Sequence, residues 1–394
     1  MYIDINLPLP VVLLLSASFL LALYIIVISL APARRVLRQR RLSDAQDNTE
    51  ASPEELPEAS VIVCCRDENE LLEELLPTLL TQEYAPGYEV IVVNEGENSL
   101  LETLVADFQI HYPNLYLAHT PDGARNLSRK KLAITLGIKA ARYPVAVITG
   151  AQALIHSTRW LASIMAPFAD EDIEMSVAPV MPDAESDTDF GRRTRAFDTT
   201  VDTVIWLNSA LRHRPWRAHS LNMAYRRSLF FRAKGFARSL NKHQGDDDIF
   251  VNQVATRRNT AVVLDSDALV YYHAGGGASQ FMAERATRIF TGRFTRRSPR
   301  RISALNFWLL WLWTGITALA VYLDFNNIAT LVVTLLLTLI LLGFITATWR
   351  SVMISLHSRH LLLTLPWMAF TRPLRMMWYR VRVHFIHSKK YTWE

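Results

Sequence analysis

Apolar residues fall along this chain in two rhythms. Three long runs without a charge, over 7–31, 302–323 and 328–349, stand apart from a middle stretch where short apolar runs alternate with polar segments. A bilayer core takes about 20 consecutive apolar residues as a helix, so each long run is predicted to span one. The polar turn Asp324, Phe325, Asn326, Asn327 makes the second and third runs a helical hairpin. In the middle stretch, 60–65, 89–94, 115–119 and 145–149 read as strands, and the segments between them carry apolar residues at helical spacing. One such helix puts Leu72, Leu75, Leu76 and Leu79 on a single stripe; another, over 130–143, puts Leu132, Leu136 and Ala140 there. The pattern predicts an α/β domain with a Rossmann-like, mixed and mostly parallel sheet, accompanied by transmembrane helices.

Charge gives these segments an orientation. Arg34, Arg35, Arg38, Arg40 and Arg41 follow the first run, and Arg296, Arg297, Arg300 and Arg301 precede the second. By the positive-inside rule both clusters, and the domain between them, are expected in the cytoplasm. The first run has Asp4 before it and its basic residues after it, the reverse of a secretory signal, and reads as an uncleaved anchor. The stretch DAQDNTEASPEELPEA that follows Arg41 has the composition of a linker. The expected organisation is an anchor over 7–31, a basic juxtamembrane segment and linker over 32–58, a cytosolic domain over 59–294, a transmembrane hairpin over 302–349 and a cytoplasmic tail over 350–394. Within the tail, 361–385 interleaves Trp367, Phe370, Met376, Met377, Trp378 and Tyr379 with Arg372, Arg375, Arg380 and Arg382. This reads as an interfacial amphipathic segment rather than a fourth crossing, its arginines expected on a solvated face near anionic lipid. The topology is that of a multi-pass protein of a bacterial-type inner (cytoplasmic) membrane.

With 394 residues, half of them hydrophobic, the chain is too apolar for disorder. Its net charge of +5 concentrates beside the spans, which explains it by topology and excludes a nucleic-acid partner. The two cysteines, Cys64 and Cys65, are adjacent, so they make neither a disulfide framework nor a metal-binding spacing, and they read as buried thiols.

Open α/β sheets bind ligands beyond the carboxyl ends of their strands. After the first strand comes Arg66-Asp67-Glu68-Asn69-Glu70, and after the second Asn94-Glu95-Gly96-Glu97-Asn98. Both can hydrogen-bond a nucleotide base and ribose, and both can equally cap helices and make polar turns. Further on, Gly245-Asp246-Asp247-Asp248 precedes Ile249-Phe250-Val251 and supplies either a general base or an acidic helix start. The glycines of Tyr271-Tyr272-His273-Ala274-Gly275-Gly276-Gly277 make a flexible loop able to act as a lid, without the lysine and hydroxyl of a phosphate loop. His273, alone, reads as packing or a surface hydrogen bond before a metal ligand.

In order along 59–294, VIVCCRDENELLEELLPTLLTQEY, YEVIVVNEGEN, RKKLAITLGIKAARYPVAVITGAQ, LNMAYRRSLFFRAKGF and GDDDIFVNQVA resemble the membrane-anchored family 2 glycosyltransferases of the GT-A fold. The resemblance implies an inverting transfer from a nucleotide sugar, a UDP-sugar foremost, to a lipid-linked or polysaccharide acceptor at the cytoplasmic membrane face. It puts Asp67 and Glu95 on the uracil or ribose and Lys131 near the donor pocket. Asp247 falls at the general base, with Asp246 beside it, and neighbouring acids would raise the pKa of the group that acts. Two motifs depart from the family. Its fourth strand ends in an Asp-x-Asp that holds Mg²⁺ or Mn²⁺ against the donor diphosphate; here the residues are Gly150-Ala151-Gln152, and Gln152 offers only a neutral oxygen. Its Gln-x-x-Arg-Trp-like segment here runs from Gln280 to Arg288 with no tryptophan. Arg285, Arg288 and Arg293 would then neutralise phosphate without a metal, or form a juxtamembrane basic helix against lipid headgroups. Two functions stay open: a metal-independent transferase, or a catalytically silent relative serving as a binding or scaffold subunit among partner subunits of a glycan-assembly complex. With three spans in this chain, a processive polymerase with its own channel is disfavoured.

Overall fold

The computed structural model describes residues 7–45, 56–96, 98–121, 128–183, 190–242, 244–273, 277–295, 298–356 and 364–387. The chain opens with α1 (Leu9–Tyr24), a π-helical turn (Ile25–Ser29) and α2 (Ala31–Ala45). There follow β1 (Ala59–Cys65), α3 (Asn69–Leu80), β2 (Tyr88–Asn94), α4 (Ser99–Gln109), β3 (Leu115–His119), α5 (Arg129–Ala140) and β4 (Val145–Gly150). Then come β5 (Ala153–Leu154), α6 (Trp160–Met165), β6 (Met175–Val177), β7 (Val180–Pro182), α7 (Phe190–Leu211), β8 (Met223–Arg226) and α8 (Arg227–Arg232). The last elements are α9 (Asp248–Val254), β9 (Thr260–Val262), β10 (Val270–Tyr272), α10 (Gly277–Thr291), α11 (Ser298–Leu323), α12 (Ile328–Ser355) and α13 (Leu365–His387). These elements form two compact units, one helical (1–38, 187–205 and 297–381) and one α/β (39–186, 206–296 and 382–394).

The α/β unit holds a seven-stranded sheet in the order β3-β2-β1-β4-β8-β6-β9. Its first four strands are parallel to one another, β8 runs antiparallel to both β4 and β6, and β6 pairs parallel with β9. A second sheet, β5-β10-β7, stands beside it. Every residue of β1 and β4 is buried, as strands covered on both faces must be, which is why both read as continuous apolar runs. All four predicted strands lie within β1 to β4. Cys64 and Cys65 are free and buried.

Helix α3 buries the expected Leu72, Leu75, Leu76 and Leu79. Helix α5 does not bury the stripe its apolar spacing predicts: Ala133, Ile134, Gly137 and Ile138 face inward, Leu132 and Leu136 are only half-buried, and Ala140 is exposed. The reason is steric. At Gly137 a Cβ would sit 2.5 Å from Ile62 Cγ2 and 3.1 Å from Val93 Cγ2, so the glycine face lets the helix lie close on β1 and β2.

Helix α2 carries the first basic cluster and continues to Ala45, into the segment expected to be linker. Arg40 is buried in the α/β unit, where it donates to the Leu264 carbonyl at 3.0 Å and pairs with Asp44 at 3.7 Å, so this arginine is a packing residue. Arg34 turns back to donate to the carbonyls of Ile26 and Val27 in the π-helical turn.

Among the described residues three helices are long and apolar enough to cross a membrane: Leu9–Ala45, Leu305–Leu323 and Ile328–Ser355. Their outward faces carry exposed leucines such as Leu13, Leu20, Leu335 and Leu336, a surface that suits lipid and not water. Polar groups bridge these helices within the unit: Ser18 Oγ lies 2.8 Å from Thr317 Oγ1, and Trp313 Nε1 donates to the Ser18 carbonyl at 3.1 Å. An apolar pocket of about 530 Å³, counting its open mouth, is lined by Ile25, Val204, Phe307, Leu310 and Trp349 among others.

Two arginines of the tail depart from the expected solvated face. Arg375 makes a two-pronged contact with Asp198 of α7, at 3.1 and 2.8 Å, and Arg372 lies 2.6 Å from Asp202 and 3.5 Å from Asp198. Asp198 is fully buried, so its charge is stable only with these partners. Replacing Arg375 by alanine removes the better-aligned one and is expected to cost about 3–5 kcal/mol, read as a lower melting temperature in detergent. Unchanged melting would show the pair to be dispensable.

Candidate functional site

The residues after β1, β2 and β4 meet at the carboxyl ends of the parallel strands. Asn98 ties the first two loops together: it caps α4 by accepting the Leu101 N–H at 3.1 Å and donates to the Arg66 carbonyl and to Asn69 Oδ1, each at 2.8 Å. Asp67 is exposed and pairs with Arg66 at 3.5 Å, open to a ligand. Glu97 lies outside the described residues.

Glu68 bridges strand ends. One of its oxygens accepts the N–H groups of Arg66 and Asp67, at 3.1 and 3.2 Å, and the other accepts Gln152 Nε2 at 2.9 Å. Desolvation works against its charge, yet these hydrogen bonds prevail and hold the carboxyl below its ordinary range. Glu95, after β2, is half-buried; desolvation raises its carboxyl, with Glu68 and Asp246 adding to the rise and Lys130 opposing it.

At the end of β4, Gly150 has no side chain, Ala151 is buried, and Gln152 is engaged with Glu68. Among the described residues no three His, Cys, Asp or Glu side chains converge as a metal would require.

The acid run lies at the start of α9. Gly245 takes a φ of +99°, where glycine is strongly favoured. Asp246 is buried and its Oδ2 lies 3.1 Å from Lys130 Nζ. Asp248 is buried as well, with Arg217 Nε at 3.1 Å and the Thr291 hydroxyl donating at 2.9 Å. Between them Asp247 is half-buried and caps α9, accepting the Asp248 N–H at 2.5 Å. The three carboxyls separate accordingly. Desolvation alone would raise Asp246, but Lys130's charge and hydrogen bond bring it below the ordinary range. Desolvation, then the charges of Asp248 and Asp246, push Asp247 up to about 7.

Lys131, the lysine expected near the donor pocket, is turned into the protein. Lys131 is fully buried, and its ammonium donates to the carbonyls of Ser239 (2.7 Å), Gln244 (3.0 Å) and Lys242 (3.1 Å) and to Ser239 Oγ (3.2 Å). Desolvation lowers its pKa to about 8. Lys131 thus pins the segment leading into the acid run, while Lys130, one residue and about 100° around the helix, points to Asp246 and to Ser220 Oγ at 2.8 Å. Burial would depress the Lys130 ammonium, but Asp246 and Asp247 overcome that and raise it.

Of the α10 arginines, Arg285 is buried with its guanidinium 4.8 Å from the Phe281 ring centroid, Arg288 is half-buried and Arg293 beyond the helix is exposed. Desolvation and the charge of Arg217 lower the pKa of Arg288. His219 stacks on Tyr272 at 6.2 Å and accepts the Leu221 N–H at Nδ1, at 3.3 Å. Burial and the charges of Arg288, Arg217 and Lys130 push its imidazole well below its ordinary pKa, so it is neutral. His273 lies 3.6 Å from Glu74, a surface contact. Residues 274–276, the centre of the expected lid, lie outside the described residues, as does the side chain of Gln280. Sequence reasoning passed over Lys130, Arg217, His219 and Ser220. The last three sit in an aperiodic loop ahead of β8, where nothing but their proximity to LNMAYRR marked them.

Comparison with known proteins adds a family match: the model described as Glycosyl transferase family 2 matches residues 60–238. Among solved structures, the chain is similar to a mannosyltransferase from Pyrobaculum calidifontis in complex with GDP-Man and Mn²⁺, at 18% identity and a TM-score of 0.49, covering 91% of this chain and 99% of that one. It is also similar to glucosyl-3-phosphoglycerate synthase from Mycobacterium tuberculosis in complex with phosphoglyceric acid, at 14% identity and a TM-score of 0.40, covering 66% of this chain and 83% of that one. No curated protein sequence matches.

Lys131→Met is expected to leave the carbonyls of 239, 242 and 244 without their shared donor, at about 1–3 kcal/mol for a buried acceptor left unsatisfied. Thermal unfolding of the variant checks this; an unchanged melting temperature would mean that the segment holds without it.

Proposed function

We propose, from the match of residues 60–238 to the Glycosyl transferase family 2 model, that the chain is an inverting glycosyltransferase of the GT-A type with Asp247 as its base. The observation that carries the reading is the division of the acid run. Lys130 holds Asp246 and Arg217 holds Asp248, while Asp247 keeps a carboxyl with a pKa of about 7, ready to accept a proton at neutral pH.

Asp247 takes the proton of an acceptor hydroxyl as that oxygen attacks the anomeric carbon. The bond from that carbon to the diphosphate breaks, the nucleoside diphosphate leaves, and the configuration inverts. Asp67 and Glu95 bind the ribose or base, with a uridine diphosphate sugar as the first donor to try, and Gln152 borders the site through Glu68. Asp246 orients Lys130, and Arg285 and Arg288 set positive charge toward the phosphates.

A divalent cation does not fit the donor set after β4. Gly150 offers no ligand, Ala151 is buried and Gln152 is bonded to Glu68, so no step is assigned to Mg²⁺ or Mn²⁺. The acceptor is lipid-linked or a membrane-associated glycan. Three helices able to cross a bilayer and the apolar pocket of the helical unit support that choice. The arginines after the first span support a transferase domain on the cytoplasmic side of a bacterial-type inner membrane.

The hydrogen bond that ties Gln152 to Glu68, where a metal-binding acid is usual, favours a second reading. In it the chain is a silent subunit that binds nucleotide sugar or partner subunits of a glycan-assembly complex.

Calorimetry of UDP- and GDP-sugars with the detergent-purified protein, in chelator, separates these readings when joined to a transfer assay on membrane lipids. Asp247→Asn is expected to lower transfer by about 10²–10⁴-fold with donor affinity retained, and Asp67→Ala to abolish donor binding. Because the working form is the carboxylate, kcat/KM is expected to rise with pH through about 7 and to level off above it. A folded protein that binds no donor would sink the transferase; binding without turnover would leave the silent subunit.

A further inference from the structure

Lys130 is the cation paired with the first acid of the Asp246–Asp248 run, and the inference drawn from it rests on the donor-site reading above. Its ammonium lies in the first turn of α5, 3.1 Å from Asp246 and 2.8 Å from Ser220 Oγ. Its electrostatic neighbours include Cys64, the residue of β1 that pairs in register with Gly150 of β4. The charge therefore stands at the ends of the two central strands, beside the position whose side chain is missing. Lys130 also acts on Glu95 across the site.

Three of the acids here are answered from within the chain. Asp246 has Lys130, Asp248 has Arg217, and Glu68 has Gln152 and two backbone N–H groups. An incoming divalent ion would meet carboxylates already engaged and a resident cation among them. The positive charge continues nearby: Lys130, Arg217 and Arg288 all act on His219, and Arg217 is held 3.1 Å from Asp248, two residues from the partner of Lys130. A lysine ammonium is a compact charge with three N–H donors. Two of them serve Asp246 and Ser220, which leaves the third for a ligand, and the side chain as a whole is 36% exposed.

The geometry points to Lys130 as a built-in replacement for the divalent cation: a donor-binding residue whose ammonium, held by Asp246 and Ser220 and flanked by Arg217 and Arg288, receives the diphosphate of the nucleotide sugar. Asp246 is by the same logic a positioning residue that aims Lys130. The ligand class is a nucleoside diphosphate, with or without its sugar.

Titration of UDP and GDP into the detergent-solubilised full chain tests this, with EDTA and with Mn²⁺ in parallel. Wild-type affinity is expected to be the same in both. Lys130→Ala is expected to weaken binding at least about tenfold in EDTA, the size of one lost charge-assisted hydrogen bond to phosphate, and Lys130→Arg to retain most of it. Lys139→Ala, exposed on the same helix, is the control expected to bind as wild type. Melting curves for each variant separate lost binding from lost folding, and Lys130→Gln stands in should alanine not fold. Wild-type binding that requires Mn²⁺, or a folded Lys130→Ala or Lys130→Gln that binds like wild type in EDTA, would overturn the inference and leave the transferase reading intact. A folded wild type that binds neither diphosphate under any condition would remove both.

Discussion

Three consecutive carboxylates at the start of one short helix cannot all stay ionised in a half-buried setting without counter-charges. The solution adopted around Asp246, Asp247 and Asp248 organises the α/β unit. Lys130 from α5 answers the first and Arg217 from the loop before β8 answers the third, assisted by Thr291 from α10. Three separate segments are thereby drawn to one helix start, and the middle acid is left beside two negative neighbours with its proton held more tightly. Removing one partner would leave a buried charge uncompensated, so the pairings are structural constraints and chemical settings together.

The scaffold under this cluster is stiff. β1 and β4 are buried throughout, Gly137 brings α5 close against Ile62 and Val93, and Lys131 ties the segment before the acid run to the same helix, its three N–H donors shared among four acceptors. A helix fixed this closely sets the direction of Lys130 as firmly as that of Lys131, which is what a cation standing among carboxylates requires.

Much of this was legible along the chain. Strands buried on both faces betray themselves as unbroken runs of valine and isoleucine, and α3, polar on one side, shows its phase plainly. Helix α5 is apolar on more than one side, with Leu132 and Leu136 outside the buried stripe, so spacing could not say which lysine points where; the deciding contact was glycine against Ile62, a tertiary fact. The tail misled for a similar reason. Arg372 and Arg375 look like headgroup ligands until Asp198 and Asp202, about 170 residues earlier, are brought beside them. Arg217 and His219 belong to an aperiodic loop, where position comes wholly from what packs around it. The acid run itself was visible, and so was the loss of charge after β4; how the site makes up for that loss required the pairing of distant cations.

The account stands on Asp247 being the acid left without a cation of its own. Its carboxyl can be titrated directly by infrared difference spectroscopy of wild type against Asp247→Asn, following the protonated carbonyl band as pH is raised. The account predicts that the band specific to Asp247 is lost around pH 7, well above the ordinary aspartate range. A band lost near pH 4 would contradict it, because the carboxyl would then be an ordinary exposed acid and the division of the acid run would have no chemical consequence.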